Sequence, residues 1–440
     1  MELFTFKGGL HPNDKKEATK DILVSELNPS KIMVYPVSQH IGAPCVPVVS
    51  VGDTVTMGQK IADSDAFVSS PIHSTVSGKV IAIEKRRHPN GNMIDSIVIE
   101  NDELDTLSDT IYDRNDYDSL TKEAMLKIIR EAGVVGLGGA TFPTHIKLNP
   151  PADKKIECVI LNGAECEPYL TSDHRVMLEN TDMVISGLKF IMKILGVDKA
   201  YIGIEENKPD AIKVMKNVCK NEKGISVKVL KTKYPQGSEK HLIYAITKKE
   251  VPSGGLPADV GVVVDNIDTC TAVYNAITKR KPIMSRVVTV SGNAVNKPQN
   301  LRVRIGTSFA DVFEGAGGFK SEPKKIIMGG PMMGMSQFSL DVPAIKGTSA
   351  LLAFDEEEMP DIKVSPCIRC GKCVEKCPMR LMPVFLNEYA QAGDMENCLK
   401  YRIMDCIECG VCAYQCQSNR FVVEQIRLMK QKINAAKKKA

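Results

Sequence analysis

The sequence predicts a multidomain protein that combines α+β and α/β domains, and three observations carry this prediction. A chain of 440 residues exceeds what one hydrophobic core usually organises, and its length corresponds to about three or four domains. Short β-type runs separated by Gly, Pro and Asp fill residues 31–100, whereas strand-like and helix-like segments alternate over 118–283. Eight of the 14 cysteines fall in two tight runs near the C-terminal end.

The composition indicates a soluble globular protein. Hydrophobic residues make up 43% and charged residues 25% of the chain, and the net charge of +4 is too small to favour nucleic acid or membranes in general. The opening "MELFTFKGGLHPND" lacks the basic and apolar regions of a signal peptide, and no run of 18 apolar residues exists. We therefore expect an intracellular protein that reaches a membrane only through partners.

The first domain is expected over residues 1–115 and is β-rich. Its segments "VGDTVTMGQKIA" and "SPIHSTVSGKVIAI" resemble the barrel-sandwich fold of lipoyl and biotinyl carriers. Those carriers present a modifiable lysine at a hairpin tip, and the matching stretch "DSDAFVSS" has none. The resemblance therefore implies an unmodified structural module, which the acidic stretch "ENDELDTLSDTIYDRNDYD" links to the next domain.

An α/β domain is predicted over residues 118–283. The segment "SLTKEAMLKIIREAG" reads as a helix with Thr121 or Ser119 as its N-cap and Gly133 after its end. Two further helices are expected in "TDMVISGLKFIMKILG" and "NKPDAIKVMKNVCKNE". Buried-strand patterns occur from Cys158 to Leu161 and in "KAYIGIEE", "ISVKVLKT" and "VGVVVDNI".

Two smaller domains are expected to follow. Residues 285–355 return to β-branched runs and glycines with one short helix at 308–315, and they resemble the soluble-ligand-binding β-grasp domain. Residues 360–440 hold the cysteine runs. The 28 residues between the runs have a helical pattern, so a helical, ferredoxin-like dicluster domain is predicted.

The cysteine runs have the spacing of iron–sulfur ligands. "CIRCGKCVEKCP" and "CIECGVCAYQC" both read C-x2-C-x2-C-x3-C, although Gln417 replaces the usual proline after the second run. Three closely spaced thiolates hold one [4Fe–4S] cluster, and the fourth ligates the other cluster. Zinc is the alternative, but zinc ribbons use two C-x2-C pairs rather than such quartets. The predicted sets are Cys367, Cys370, Cys373 and Cys416 for one cluster, and Cys406, Cys409, Cys412 and Cys377 for the other.

The stretch "AGVVGLGGATFPTHIKL", residues 132–148, is the second candidate site. Glycine-rich turns let backbone N–H groups approach a phosphate. This loop follows a helix rather than a strand, which excludes a Rossmann fingerprint, and it lacks the G-K-[ST] of a nucleotide-triphosphate loop. By its glycines alone it is either a phosphate-binding loop or a tight turn.

Three motifs in order, "GLGGATFPTHIK", "LNGAECEP" and "VDNIDTC", resemble the flavin- and NADH-binding subunit of respiratory complex I over about a third of the chain. The resemblance implies that FMN lies on the glycine loop and the asparagine-bearing turns, with NADH stacked on the flavin. The implied FMN residues are Gly136, Gly138, Gly139, Lys147, Asn162, Glu165, Asn266 and Thr269, and the implied nicotinamide and adenosine contacts are Phe142, Glu167 and Glu239.

Three positions depart from the complex I pattern. Ala164 replaces an acidic residue, Thr141 replaces a glycine and Ser238 replaces a glutamate. These changes affect the expected contacts to NADH more than those to FMN.

The order of domains, together with the opening "FKGGLHP", resembles the C subunit of the Rnf electron-transport complex over nearly the whole chain. That resemblance implies an oxidoreductase component on the cytoplasmic face of a membrane complex, where ferredoxin oxidation and NAD reduction are coupled to Na⁺ or H⁺ movement. NAD(H) exchanges two electrons and an iron–sulfur cluster one, so a flavin must stand between them. The cofactors would carry the reaction, and no catalytic acid or base is assigned.

Two other functions fit the same motifs. The cobalamin reductase of propanediol-utilising microcompartments shares the flavin and dicluster layout. A non-enzymatic scaffold would keep a vestigial flavin site and pass electrons through its clusters alone. Copurification with integral membrane partners favours the Rnf function over a cobalamin reductase. Reduction by NADH favours the Rnf function over a scaffold with a vestigial flavin site.

Overall fold

A computed structural model describes residues 3–439 of the chain, with side chains described to residue 437. From residue 3 to residue 115, the described N-terminal part forms eight strands and no helix. The strands are β1 (Ser25–Glu26), β2 (Ile32–Pro36), β3 (Val46–Pro47), β4 (Thr54–Val55), β5 (Lys60–Asp63), β6 (Ile72–His73), β7 (Gly78–Arg87) and β8 (Met93–Asn101).

Strands β2–β8 build two small antiparallel sheets, in the orders β2-β8-β7-β4 and β3-β5-β6. The long β7–β8 hairpin turns through "HPNGN", where Gly91 has φ +88° and supplies the left-handed backbone that such a turn needs. Buried side chains from both sheets, such as Met33 and Ile97 of the first and Ile61 of the second, form one core between them.

The second part is a layered α/β unit that follows a short 3₁₀ turn at Tyr117–Ser119. Its elements are α1 (Lys122–Glu131), α2 (Thr144–Lys147), β9 (Cys158–Gly163), α3 (Ser172–Glu179), α4 (Thr181–Leu195), β10 (Ala200–Glu205), α5 (Pro209–Cys219), β11 (Ile225–Leu230), α6 (Glu239–Thr247), β12 (Val262–Asn266) and α7 (Ile267–Lys279). All predicted strands and helices of this region are present.

The four strands of this unit are parallel, in the order β11-β10-β9-β12. Helices α4 and α7 cover the sheet and contact each other so closely that a Cβ on Gly187 would overlap the carbonyl oxygen of Cys270. Helix α1 begins at Thr121, whose side chain accepts a hydrogen bond from the Ala124 N–H, and the chain turns away at Gly133 with φ +66°. Both of these predicted helix signals are confirmed.

The third part is a mixed sheet with one helix. Its elements are β13 (Ser285–Ser291), β14 (Gln299–Arg304), α8 (Phe309–Gly315), β15 (Lys325–Met328), β16 (Met335–Gln337) and β17 (Ala350–Phe354). The sheet order is β1-β14-β13-β17-β15-β16, so strand β1 from the N-terminal region pairs with β14 at its edge. Helix α8 begins one residue after the predicted start at 308, and Ser308 is its N-cap.

The cysteine region is helical, as predicted, and the structure has no strand between residues 355 and 439. Its helices are α9 (Lys372–Glu375), α10 (Pro383–Ala392), α11 (Met395–Lys400), α12 (Val411–Tyr414) and α13 (Val422–Lys439). Helices α10 and α13 pack together over a small core that includes Leu386 and Ile426.

Residues 3–20 run along the other parts rather than within the two N-terminal sheets. Phe4 pairs with Leu230 at the edge of the parallel sheet, and Leu10 pairs with Tyr234. The buried Lys16 ammonium donates hydrogen bonds to the carbonyl oxygens of Glu165, Glu167 and Leu170. This segment therefore fixes the loop that follows β9.

No helix among residues 3–439 combines the length and the apolar character required to cross a bilayer.

Candidate functional site

The carboxyl ends of β9 and β12 bring two predicted asparagines together. Asn162 and Asn266 stand opposite each other in the parallel register. Asn162 Nδ2 donates to the carbonyl oxygen of Gly237 at 2.8 Å, and Asn266 Nδ2 donates to Asp173 Oδ2 at 2.7 Å. Because open α/β sheets bind ligands beyond the carboxyl ends of their strands, this edge is the natural place for a cofactor.

The glycine loop lies directly against this edge. Its Leu137 N–H donates to Thr269 Oγ1 at 2.9 Å, which anchors the loop on α7. A Cβ on Gly138 would lie 3.3 Å from the Asn266 Cβ, whereas Gly139, with φ +110°, has no neighbour within 4 Å. Gly136 closes the turn through its N–H, which donates to the Phe142 carbonyl oxygen at 2.9 Å. The loop is therefore fixed at its base and exposed at its tip.

Lys147 supplies the positive charge at this edge. Its ammonium donates to Glu239 Oε1 at 2.8 Å and to the Val264 carbonyl oxygen at 2.6 Å. Burial alone would lower the pKa of Lys147, but the carboxylates of Glu239 and Asp265 outweigh it and raise the pKa. The lysine is therefore cationic at neutral pH and is held among carboxylates at the end of β12.

The two other predicted glutamates, like Glu239, form hydrogen bonds within the protein. Glu165 accepts the backbone N–H groups of Asp173 and His174, so it caps the start of α3. Glu167 Oε2 accepts the Met332 N–H at 3.0 Å, and burial raises the pKa of its carboxyl to about 7. The structure thus places Glu167 against the loop after β15, and the assignment of Glu167 and Glu239 to NADH stays a prediction.

Two residues at this edge were missed from the sequence. Asp265 is buried, neither of its carboxylate oxygens has a hydrogen-bond partner, and burial raises its pKa to about 6 against the effect of Lys147. Gln236 is fully buried, with both its amide oxygen and its amide nitrogen unpartnered. Asp265 stands at the end of a strand beside Asn266 and could have been chosen on that ground, whereas nothing in the sequence singles out Gln236.

These observations fit FMN. A glycine loop that packs closely on Asn266, where a Cβ on Gly138 would lie 3.3 Å from the Asn266 Cβ, together with a nearby lysine, suits the phosphate end of a flavin nucleotide. The unpartnered carboxylate of Asp265 suits a ligand with several hydroxyl donors, because buried polar atoms are almost always hydrogen-bonded.

The second cysteine set lines one cavity. Cys377, Cys406, Cys409 and Cys412 line one small cavity, whose other walls are mainly apolar side chains such as Leu381. Burial raises the pKa of the Cys409 thiol to about 12, and the neighbouring Cys406 and Cys377 add to that effect. The fourth cysteine of the first run thus lies with the second run, as the crossed assignment requires. We call this group the inner set.

The other four cysteines of the two runs, which we call the outer set, are closer to solvent. Cys370 is exposed, and Cys367, Cys373 and Cys416 are partly exposed. Cys373 lies near Cys367 and Cys370, whose charges raise its pKa after the larger effect of burial. The segment after Cys416 returns to the first run, because Ser418 Oγ donates to the Pro366 carbonyl oxygen at 2.9 Å.

Within residues 3–439, no three His, Cys, Asp or Glu side chains converge closely enough to ligate a single metal ion. The fit of the inner set to a [4Fe–4S] cluster rests on four thiols around one cavity, with three from one run and the fourth from the other.

Four families match the chain in the predicted order. They are described as the RnfC barrel sandwich hybrid domain (residues 4–104), the Nuo51 FMN-binding domain (129–275), the SLBB domain (287–336) and a 4Fe–4S dicluster domain (366–421). The chain therefore contains a barrel-sandwich part, a flavin-binding part, an SLBB part and an iron–sulfur part.

The decisive comparison is with full-length relatives. The chain is 48% identical over 435 residues to the C subunit of the Na(+)-translocating ferredoxin:NAD(+) oxidoreductase complex of Acetobacterium woodii, covering 99% of this chain and 98% of the relative. It is 51% identical over 437 residues to the C subunit of the proton-translocating complex of Clostridium ljungdahlii, covering 99% and 95%. The chain belongs to the RnfC family.

More distant members of the RnfC family align with less of their own length. The C subunit of the ion-translocating oxidoreductase complex of Rhodobacter capsulatus is 40% identical over 404 residues, which cover 91% of this chain and 78% of that protein. Among solved structures, an NAD+-reducing [NiFe]-hydrogenase in the H2-reduced state matches 73% of this RnfC-family chain and 62% of its own, with 17% identity and a TM-score of 0.49.

Proposed function

We propose that the chain is the NAD(H)-linked flavin and iron–sulfur subunit of an Rnf-type, ion-translocating ferredoxin:NAD+ oxidoreductase complex. Full-length identity of 48–51% to the C subunits of two such complexes carries this proposal. It is supported by the FMN-binding and dicluster families that match residues 129–275 and 366–421. The protein passes electrons between NAD(H), FMN and two [4Fe–4S] clusters, and its partners are the other Rnf subunits, with ferredoxin and NAD(H) as redox partners.

The domain limits and the place in the cell are part of the proposal. We assign residues 1–115 to an unmodified, lipoyl-like barrel-sandwich domain, 118–283 to the FMN/NADH-binding α/β domain, 285–355 to the β-grasp domain and 360–440 to the ferredoxin-like domain. The protein lies peripherally on the cytoplasmic face of the membrane and is held there by integral membrane subunits.

The proposed flavin residues divide by their chemistry. The N–H groups of the glycine loop and the ammonium of Lys147 hold the phosphate, because both present positive charge at the same edge of the sheet. Asn162, Asn266 and Thr269 keep the surrounding turns in place through their own hydrogen bonds. Asp265 accepts hydroxyl groups of the ligand, which gives its two buried oxygens the partners that they lack within the protein.

When bound, FMN exchanges a hydride with NAD(H) and single electrons with the clusters. The protein contributes the binding of FMN and the ligation of iron. The thiols of the inner set release their protons as iron binds, since only thiolates are ligands. The apolar walls of that cavity exclude water from the cluster.

Anaerobic reconstitution tests the proposed function. The full chain should bind about eight irons and FMN, and NADH should bleach the flavin absorbance before the cluster absorbance falls. A chain that holds its irons but refuses FMN would be a cluster-only scaffold, and the proposal would be wrong.

A further inference from the structure

The two cysteine sets differ in what they contact, and the difference lies at one position of the repeated motif. In both runs a glycine follows the second cysteine, Gly371 in the first run and Gly410 in the second run. Both glycines are left-handed, with φ +76° and +80°. A Cβ on Gly371 would have no neighbour within 4 Å, whereas a Cβ on Gly410 would lie 2.7 Å from the Met332 carbonyl oxygen.

Met332 belongs to the segment 329–334, "GGPMMG", which we call the methionine loop. This loop follows β15 and reaches the α/β unit, where the Met332 N–H donates to Glu167 Oε2 at 3.0 Å. Glu167 Oε1 in turn accepts the hydroxyl of Tyr234 at 3.4 Å. Tyr234, Met332 and Cys409 pack in one apolar cluster. The methionine loop therefore lies between the turns of the α/β unit and the inner cysteine set.

The N-terminal segment approaches the inner set at Cys377. A Cβ on Gly8, which has φ +80°, would lie 2.9 Å from the Cys377 carbonyl oxygen. The next N–H, that of Gly9, donates to the Lys376 carbonyl oxygen at 2.8 Å. Leu10 then exchanges both backbone hydrogen bonds with Tyr234, at 2.9 and 2.8 Å. Gly8 and Gly9 therefore connect the inner set to the turn at Tyr234. That turn leads to Gly237, whose carbonyl oxygen accepts the amide of Asn162.

A third connection runs through α6. The Nε2 atom of His241 lies 3.1 Å from the carbonyl oxygen of Pro378, the residue after Cys377. Ser253 Oγ also donates to Asp405 Oδ1 at 2.6 Å, and Asp405 directly precedes Cys406 in sequence. The inner set is therefore contacted by the flavin-binding part from several directions.

We propose that Gly8 and Gly410 are positioning residues that set the separation between the flavin edge and the inner [4Fe–4S] cluster, which exchanges electrons directly with the flavin. This inference rests on the proposed function. Each glycine allows a backbone carbonyl to approach where any side chain would push the inner set away. The outer set passes electrons onward to a partner, because its Cys370 is exposed and a Cβ on the neighbouring Gly371 would contact nothing within 4 Å.

The electrons and protons of this route balance. NADH delivers two electrons and a proton to the flavin as a hydride. A bound flavin would give up these electrons one at a time to the cluster held by the inner set, and the outer set would hold the cluster that receives them next. Once both electrons have left by this route, the one proton that arrived with the hydride would go to solvent. Electron transfer slows steeply with distance, so a displaced inner cluster slows this first step.

A matched pair of variants tests the proposal. Gly410→Ala and Gly371→Ala impose the same left-handed backbone strain, and only the first must displace the methionine loop. The full chain is reconstituted, its iron and FMN are counted, and cluster reduction is followed by freeze-quench EPR after mixing with NADH. We expect Gly410→Ala to keep its irons and FMN, and to reduce its inner cluster several-fold more slowly than Gly371→Ala. Its flavin should still bleach at the wild-type rate.

Equal rates in the two variants, with full iron content, would overturn the proposal. If Gly410→Ala loses iron, the rate of inner-cluster reduction is compared between Gly8→Ala and Gly52→Ala instead. Gly52→Ala is the control, because Gly52 has φ +100° and a Cβ there would have no neighbour within 4 Å. If Gly8→Ala also loses the inner irons, these contacts hold the cluster rather than set its separation, and the proposal is wrong. A wild-type chain that binds no FMN would instead refute the proposed function.

Discussion

The crossed ligation of the two clusters gives the sharpest prediction, and Cys377→Ser is the change that tests it. Cys377 is the last cysteine of the first run but lines the cavity of Cys406, Cys409 and Cys412. A serine hydroxyl does not replace a thiolate at an iron–sulfur cluster as an equal ligand. The variant should therefore keep the outer cluster and lose the inner one, so the iron content falls from about eight to about four per chain.

The electron route sharpens the expected result. Without the inner cluster, NADH should bleach the flavin of Cys377→Ser while the remaining cluster stays oxidised. In Cys416→Ser, by contrast, the inner cluster should remain and be reduced by NADH. Anaerobic iron analysis and EPR of the NADH-reduced and dithionite-reduced proteins separate these states.

Cys398→Ser is the matched control, because Cys398 is fully buried in the same helical region and belongs to neither run. It should retain all irons. The reasoning is refuted if Cys377→Ser still shows a cluster that NADH reduces and Cys416→Ser does not, since each run would then ligate its own cluster.

Three further changes follow from the contacts described. Lys147→Gln removes a cation beside the proposed phosphate. Fluorescence titration should show FMN binding weakened by about 10- to 150-fold, or roughly 1.5–3 kcal/mol. The control Lys249→Gln, at a partly exposed surface lysine, should leave FMN binding unchanged. Glu167→Gln should flatten the pH dependence of thermal stability. In the wild type the folded carboxyl has a pKa of about 7 against an ordinary 4.5, so stability is full below pH 4.5 and is lost as the pH rises to 7, by about 3 kcal/mol. A steeper or unchanged profile in the variant would contradict this assignment. Gly187→Ala should destabilise the apoprotein by about 1–3 kcal/mol in thermal melts, because its Cβ overlaps the Cys270 carbonyl of the facing helix; an unchanged melting temperature would show that α4 and α7 can separate freely.

The parts of the fold that local signals specify were predictable. Thr121 and Gly133 bound α1, and Ser308 begins α8, because caps depend on residues adjacent in sequence. The alternation of apolar strands and amphipathic helices predicted the parallel sheet, and that sheet places Asn162 beside Asn266. These features required no knowledge of long-range contacts.

Contacts between distant segments were not predictable. Residues 1–115 were predicted to form the first domain, yet Ser25–Glu26 forms the edge strand of the third sheet, because β14 there offers unpaired backbone groups. The role of Glu167 was also hidden, since the Met332 N–H that it accepts lies 165 residues away in sequence. Asp265 and Gln236 became visible only when their burial and missing partners were known.

The contacts of Gly8 and Gly9 with Lys376 and Cys377 join positions almost 370 residues apart in the chain. During synthesis, the start of the protein emerges first and must wait for the cysteine region before it can settle. An affinity tag fused ahead of Phe4 would lie only a few residues from these late-forming contacts of Gly8 and Gly9. Tags are therefore better placed elsewhere when cofactor content is to be compared between preparations.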